Sequence, residues 1–236
     1  MTFNGPVRWS IGAFARAVVQ GRLAVVVEGR EHVPSTGPAI VAARHYHHLY
    51  DAAVLLTVLE RPVHFLVALD WVGGSCQRWF MEAACRSARW PVLLRPDALA
   101  RARGGRQAGP YSAADAVPYL RRAVRESERL LQDGRLLAIF PEGYPNVDPT
   151  FTPKTGPESW LPFSRIVARI AQRAGGAIGC PVPIVPAGLV YEGGTPERVV
   201  VRFGRATSVA TGTGSVALTR QIEAAVRALS EAAEPT

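Results

Sequence analysis

The stretch "GRLLAIFPEGYP", residues 134–145, organises the reading of the whole chain. Leu136 to Phe140 is a short unbroken apolar run, the pattern of a strand covered on both faces. Asp133-Gly134 in front of it is a helix stop. Pro141 behind it ends sheet pairing, and Gly143 permits a backbone turn that other residues resist. Glu142 is thereby expected at the carboxyl end of a buried strand, the edge at which open α/β sheets bind ligands. Taken alone, such a glutamate reads as readily as a surface residue in an ordinary turn.

Outward from this stretch, apolar runs alternate with helical patterns. Strands are expected over 23–29, 38–43, 63–69, 91–95, 181–193 and 198–204. "PSTG" (34–37) is a turn, and "RARGGRQAGPYS" (101–112) reads as a loop by its glycines and charges. Helices are expected over 51–60, after the 101–112 loop with Leu120, Val124 and Leu131 on one stripe, and from Thr219 to Ala232. Pro118 fits the first turn of its helix. The alternation specifies an α/β fold with a mixed, largely parallel central sheet flanked by helices. An N-terminal amphipathic helix precedes it, with Val7, Ile11, Phe14, Ala15 and Val18 at helical spacing and arginines on other faces. Two units are therefore expected: 1–22 as that helix, suited either to a membrane interface or to the domain's own core, and 23–236 as the main domain.

Composition narrows the class. At 236 residues and 48% apolar content the chain can bury a core without disulfides. Cys76, Cys85 and Cys180 have no Cys-x-x-Cys spacing, which speaks against a zinc ribbon and for a reducing compartment. The net charge of +8 is carried almost wholly by arginine, and Lys154 is the sole lysine. Arginine pairs with phosphates and keeps its charge when desolvated, so anionic partners are expected. Nucleic acid is not, because aromatic residues do not interleave with the arginines as single-strand platforms require. No apolar run is long enough to span a membrane, and the start lacks the layout of a signal peptide.

Chemistry concentrates in "RHYHHLYD", residues 44–51, which holds three of the five histidines. A neutral imidazole beside a carboxylate is a general base. Two histidines qualify. On one regular helix His45 and Asp51 would be turned about 240° apart, so they meet only if His45 stays on the loop before the helix. His47 is about 40° from Asp51 and needs no such loop. A paired-zinc hydrolase core would need a different spacing and further downstream histidines than His64 alone, so no metal and no cofactor are expected.

The order of the pieces carries more than any one of them. "GPAIVAA" leads into His and Asp; "WPVLLR" ends in Arg95; "IFPEGYP" follows; "VPIVP" comes last. This order resembles the glycerolipid acyltransferase superfamily, with its lysophosphatidic acid acyltransferases, over about residues 27–190. Tyr144-Pro145 stands where that family carries Thr-Arg, and Trp90-Pro91 where it carries a glycine. The family pair is five residues apart; His45 lies six before Asp51 and His47 four, and this shift with the lost arginine leaves a non-catalytic lipid-binding or membrane-association module as the alternative. The resemblance implies transfer of a fatty acyl group from acyl-CoA or acyl carrier protein to the hydroxyl of a lysophospholipid, with His45 as base and Asp51 fixing its tautomer, and His47 as the rival base. It implies Arg95, Pro141, Glu142 and Gly143 around the acceptor, with Glu142 binding a hydroxyl or orienting an arginine. Arg101, Arg103 and Arg106 are added phosphate contacts. It implies a cytoplasmic enzyme, peripheral on the inner face of the cell membrane, with anionic phospholipid as its surface partner.

Overall fold

The computed structural model describes residues 5–20, 22–104, 109–149, 151–192, 198–207 and 214–231, with side chains from residue 10 onward apart from 102–104. In chain order the elements are α1 (Gly5–Val19), β1 (Ala24–Glu28), β2 (Ala39–Ala43), α2 (Tyr50–Val58), β3 (Val63–Phe65), β4 (Val67–Ala68), α3 (Ser75–Ala88), β5 (Val92–Leu93) and α4 (Pro96–Gly104). They continue with α5 (Ala116–Gln132), β6 (Leu136–Ile139), α6 (Ile166–Ile178), β7 (Ile184–Glu192), β8 (Arg198–Phe203) and α7 (Ser215–Leu229).

Six strands form one sheet in the order β1-β8-β7-β2-β6-β3. Every pair is parallel except β7–β8. β4 and β5 make a separate parallel ribbon. Along β2 and β6 alternate residues serve opposite faces, as the two-residue period of a strand requires. Val41, Ala43, Leu136 and Ala138 pack with α1 and α2 residues such as Ala15, Val19, Val54 and Leu55. Ile40, Ala42, Leu137 and Ile139 pack under α5, α6 and α7, against Leu131, Ile170 and Ile222. A smaller cluster joins Leu69, Val72, Cys85, Leu94 and Leu99.

The mixed, largely parallel sheet is the one the sequence pattern specifies. The local differences have physical causes. The run 63–69 is not one strand: it breaks at Leu66, whose amide still reaches Ala138 O while Val67 turns to Pro91 O. α3 has no apolar stripe to betray it, because Trp79 and Phe80 face out and only Cys85 and Ala88 are buried. α4 reaches into the segment read as a loop, opened by Pro96 and Asp97, which suit a helix first turn. In α5, Leu120 is exposed; the buried stripe is Ala116, Ala123, Ser127, Leu130 and Leu131. α7 starts at Ser215, before the expected Thr219, and Ala232 lies outside the described residues. Gly134, at φ 68°, closes α5 onto β6.

Candidate active site

β2, β6, β7 and β3 are parallel, so their carboxyl ends share one edge. The chain leaves β2 into His45, leaves β6 into Phe140–Gly143, and brings Tyr191 up at the end of β7. Three distant segments thus meet at the edge where such sheets bind ligands.

His45 sits on the loop before α2, and its Nδ1 lies 2.8 Å from Asp51 Oδ2. A carboxylate only accepts, so Nδ1 donates and Nε2 keeps its lone pair for a proton. Asp51 is fully buried. Its Oδ2 also accepts from the amides of Tyr46 (2.6 Å) and His47 (3.0 Å), and its Oδ1 accepts from the Tyr191 hydroxyl at 2.7 Å. Burial, and then the Asp51 charge and hydrogen bond, push the Tyr191 phenol far above its ordinary range, so it remains a donor. The His45 ring stacks on Phe140 at 4.3 Å between centroids and keeps 15% of its side chain exposed. It is therefore oriented on one face and open on the other.

The rival ring is placed elsewhere. His47 reaches Asp51 through its backbone amide, while its Nδ1 accepts from the Leu49 and Tyr50 amides that open α2. Its pKa is lowered, chiefly by burial and then by His48. Among the described residues no group of three or more His, Cys, Asp or Glu side chains is arranged to hold a metal ion.

Glu142 points inward. Its side chain and that of Lys154 are both wholly buried and meet at 2.6 Å. Glu142 Oε1 accepts the His45 amide at 3.1 Å and Oε2 the Leu161 amide at 3.2 Å. Lys154 Nζ donates to the His45 carbonyl and to Asn146 Oδ1, each at 2.9 Å. One ion pair thus grips both backbone groups of His45. Glu142 was expected beside a substrate hydroxyl or an arginine; in the fold its side chain pairs with Lys154 and two backbone amides, and Pro141 beside it is buried as well. Gly143 takes φ 76°, the left-handed turn that brings Val147 back to pair with the histidine loop. There the Val147 amide donates to Tyr46 O and the His48 amide to Val147 O.

Arg95 is held by Asp70, through Nε and Nη2, and by Gly143 O, through Nη1 at 2.5 Å. Among the described residues these bonds occupy three of its five N–H groups. Its guanidinium lies 3.8 Å from the Tyr144 ring centre. On the other side Arg101 pairs with Asp97 at 2.9 Å, donates to the Tyr144 hydroxyl and covers Phe151. Burial, and then the hydrogen bond to Asp97, raise the Tyr144 phenol above its ordinary range. The Arg103 side chain and Arg106 lie outside the described residues.

With this geometry in place, comparison with known families is decisive: residues 24–190 match the model of the family described as Acyltransferase. The chain belongs to the Acyltransferase family. No curated protein matches the sequence. Among solved structures the acyltransferase is similar to the 1-acyl-sn-glycerophosphate (LPA) acyltransferase PlsC from Thermotoga maritima, at 20% identity and a TM-score of 0.62. That match covers 94% of this chain and 78% of the other, and it shows a shared fold.

Three residues of this site escaped the sequence reading. Lys154 carried a signal, being the only lysine among many arginines. Tyr191 and Asp70 carried none, since each is an ordinary polar residue near a strand end until the fold brings it to Asp51 or Arg95.

Proposed function

We propose that the acyltransferase moves a fatty acyl group from an acyl-CoA or acyl carrier protein thioester to the free hydroxyl of a lysophospholipid, with lysophosphatidate as the preferred acceptor. The observation that carries the reading is the His45–Asp51 hydrogen bond of 2.8 Å on the loop facing the Pro141–Gly143 bend. His45 Nε2 takes the acceptor's proton as its oxygen attacks the thioester carbon. The C–O bond forms, the C–S bond breaks, and the imidazolium returns the proton to the leaving thiolate. Asp51 fixes the tautomer and stabilises the imidazolium, as the carboxylate does in hydrolase triads. Glu142 and Lys154 act as positioning residues through the His45 backbone.

Arg95, with two N–H groups that have no acceptor among the described residues, and Arg101, at the rim of the same turn, contact the acceptor's phosphate. Lysophosphatidate is supported by the fold shared with a protein described as an LPA acyltransferase. Among the described residues no helix is long and apolar enough to cross a membrane. The net charge of +8 and the exposed Phe14 on α1 support peripheral attachment to the anionic inner face of the cell membrane, with residues 1–22 contributing to that contact. Sedimentation with anionic vesicles but not with neutral ones is the expected behaviour; equal sedimentation with both refutes the attachment.

An assay with acyl-CoA and lysophosphatidate tests the reaction on wild type, His45→Ala and His47→Ala. Loss of the base is expected to lower kcat by roughly 10²–10⁴-fold in His45→Ala, with His47→Ala close to wild type. The reverse result moves the base to residue 47. Absence of turnover in wild type with several lysophospholipids and both donor types overturns the acceptor class.

A further inference from the structure

α3 and α5 enclose a cleft that no step of the proposed reaction uses. Two side-chain contacts join the helices: Glu82, midway along α3, accepts from the Tyr119 hydroxyl in the first turn of α5, and Arg89 just past α3 pairs with Asp133 just past α5. Between these two closures lies a cavity of about 220 Å³. Its walls are single helical stripes, Glu82, Arg86 and Arg89 on α3 and Tyr119, Arg122 and Arg129 on α5. Trp90 and Leu130 give it an apolar lining.

The charges in this cleft do not cancel. Glu82 is already satisfied by Arg78 and by the Tyr111 and Tyr119 hydroxyls. Arg122 pairs with Glu126, which also lines the cavity, and Arg89 pairs with Asp133. Arg86 and Arg129 have no ion pair among the described residues, and both open onto the cavity. Cys85, also in the wall, is buried, which pushes its thiol up to about 11, so it presents no negative charge. Two arginines without an ion pair among the described residues therefore line one partly apolar cleft, where a charge is screened less than in open water. Guanidinium binds phosphate oxygens in a fork and is weakly hydrated, so a phosphate group is its best-matched ligand. The size fits the same conclusion. Pockets that hold cofactors or drug-sized ligands occupy roughly 300–1,000 Å³, so this one suits a phosphate-bearing headgroup and not a whole nucleotide.

We propose that the α3–α5 cleft is a second anion site of this protein, which binds a phosphate group between Arg86 and Arg129. The group is a soluble phosphate ester or the headgroup of an anionic phospholipid. The cleft shares no lining residue with the acyl-transfer site: Trp90 meets Phe65 edge-on, Phe65 stacks on Phe140, and Phe140 in turn stacks on the His45 ring. The inference stands whether or not lysophosphatidate is the acceptor.

The test compares the full chain with Arg86→Gln/Arg129→Gln; both positions are exposed, so the fold does not depend on them. Calorimetric titration with glycerol 3-phosphate and with inorganic phosphate reads the soluble source. Sedimentation with phosphatidylcholine vesicles, with and without phosphatidate, reads the lipid source. Binding in at least one of these is expected to fall tenfold or more in the double variant, while turnover of detergent-dispersed substrate stays at the wild-type level. A fall in the titration alone assigns a soluble ester, and a fall in the phosphatidate vesicles alone assigns a headgroup. Arg125→Gln, an exposed arginine of α5 outside the cavity, is the control. Equal binding by wild type and double variant overturns the proposal, and so does an equal loss in the Arg125 control.

Discussion

Two ion pairs flank the Pro141–Pro145 turn, and they do opposite things. Glu142–Lys154 is wholly buried, with hydrogen bonds on both partners to the His45 backbone. Arg101–Asp97 sits at the rim with side chains 42% and 56% exposed. Exposed pairs contribute little because water already solvates each charge. A buried pair contributes little net stability over an apolar replacement, but each partner is indispensable to the other, because a lone charge left inside is costly. The buried pair is thus a way of fixing geometry, and the exposed one leaves an arginine available to a ligand.

The largest expected effect comes from breaking the buried pair. Lys154→Met strands the Glu142 carboxylate and is expected to lower unfolding free energy by about 3–5 kcal/mol, measured by urea denaturation. Adding Glu142→Leu should recover most of that stability, since an apolar pair of similar size replaces an ionic one. Activity should stay low in the double variant, because the His45 amide and carbonyl have both lost their partners. Recovery of activity together with stability would show that the pair does not position His45.

A smaller effect is expected one bond further from the acceptor. Tyr191→Phe removes the hydroxyl that donates to Asp51 Oδ1 and leaves the ring stacked on Tyr46. Hydrogen bonds to charged groups contribute about 1.5–3 kcal/mol, so kcat should fall roughly ten- to hundredfold with KM unchanged. A change in KM alone would assign Tyr191 to substrate binding.

The smallest effect on the fold is expected at the rim. Arg101→Ala should change stability by less than about 1 kcal/mol, while KM for lysophosphatidate rises. An unchanged KM would remove Arg101 from the acceptor site and leave Arg95 as the phosphate contact of the turn.

How much of this was legible beforehand depended on the range of the interaction. The strands 24–28, 39–43, 136–139 and 198–203 were readable because each is a bounded apolar run. For the histidines, helix geometry gave only a condition: His45 could meet Asp51 from a loop before the helix, and His47 from the helix itself. α3 was not readable, because its aromatic residues face away from the core and give no stripe. The partner of Glu142 was not readable for the same kind of reason: a carboxylate at the end of a strand gives no sign of the lysine, twelve residues on, that folds beneath it.

The sequence by itself determined the layered α/β class, the order of the chemical segments and the two histidines, His45 and His47, that could reach Asp51, since local periodicity and spacing act within a few residues. Only the tertiary structure decided which imidazole meets Asp51, that Lys154 and Glu142 close around the His45 backbone, and that Arg86 and Arg129 share a cleft. Those facts depend on contacts between segments tens of residues apart, and chain packing alone sets such distances.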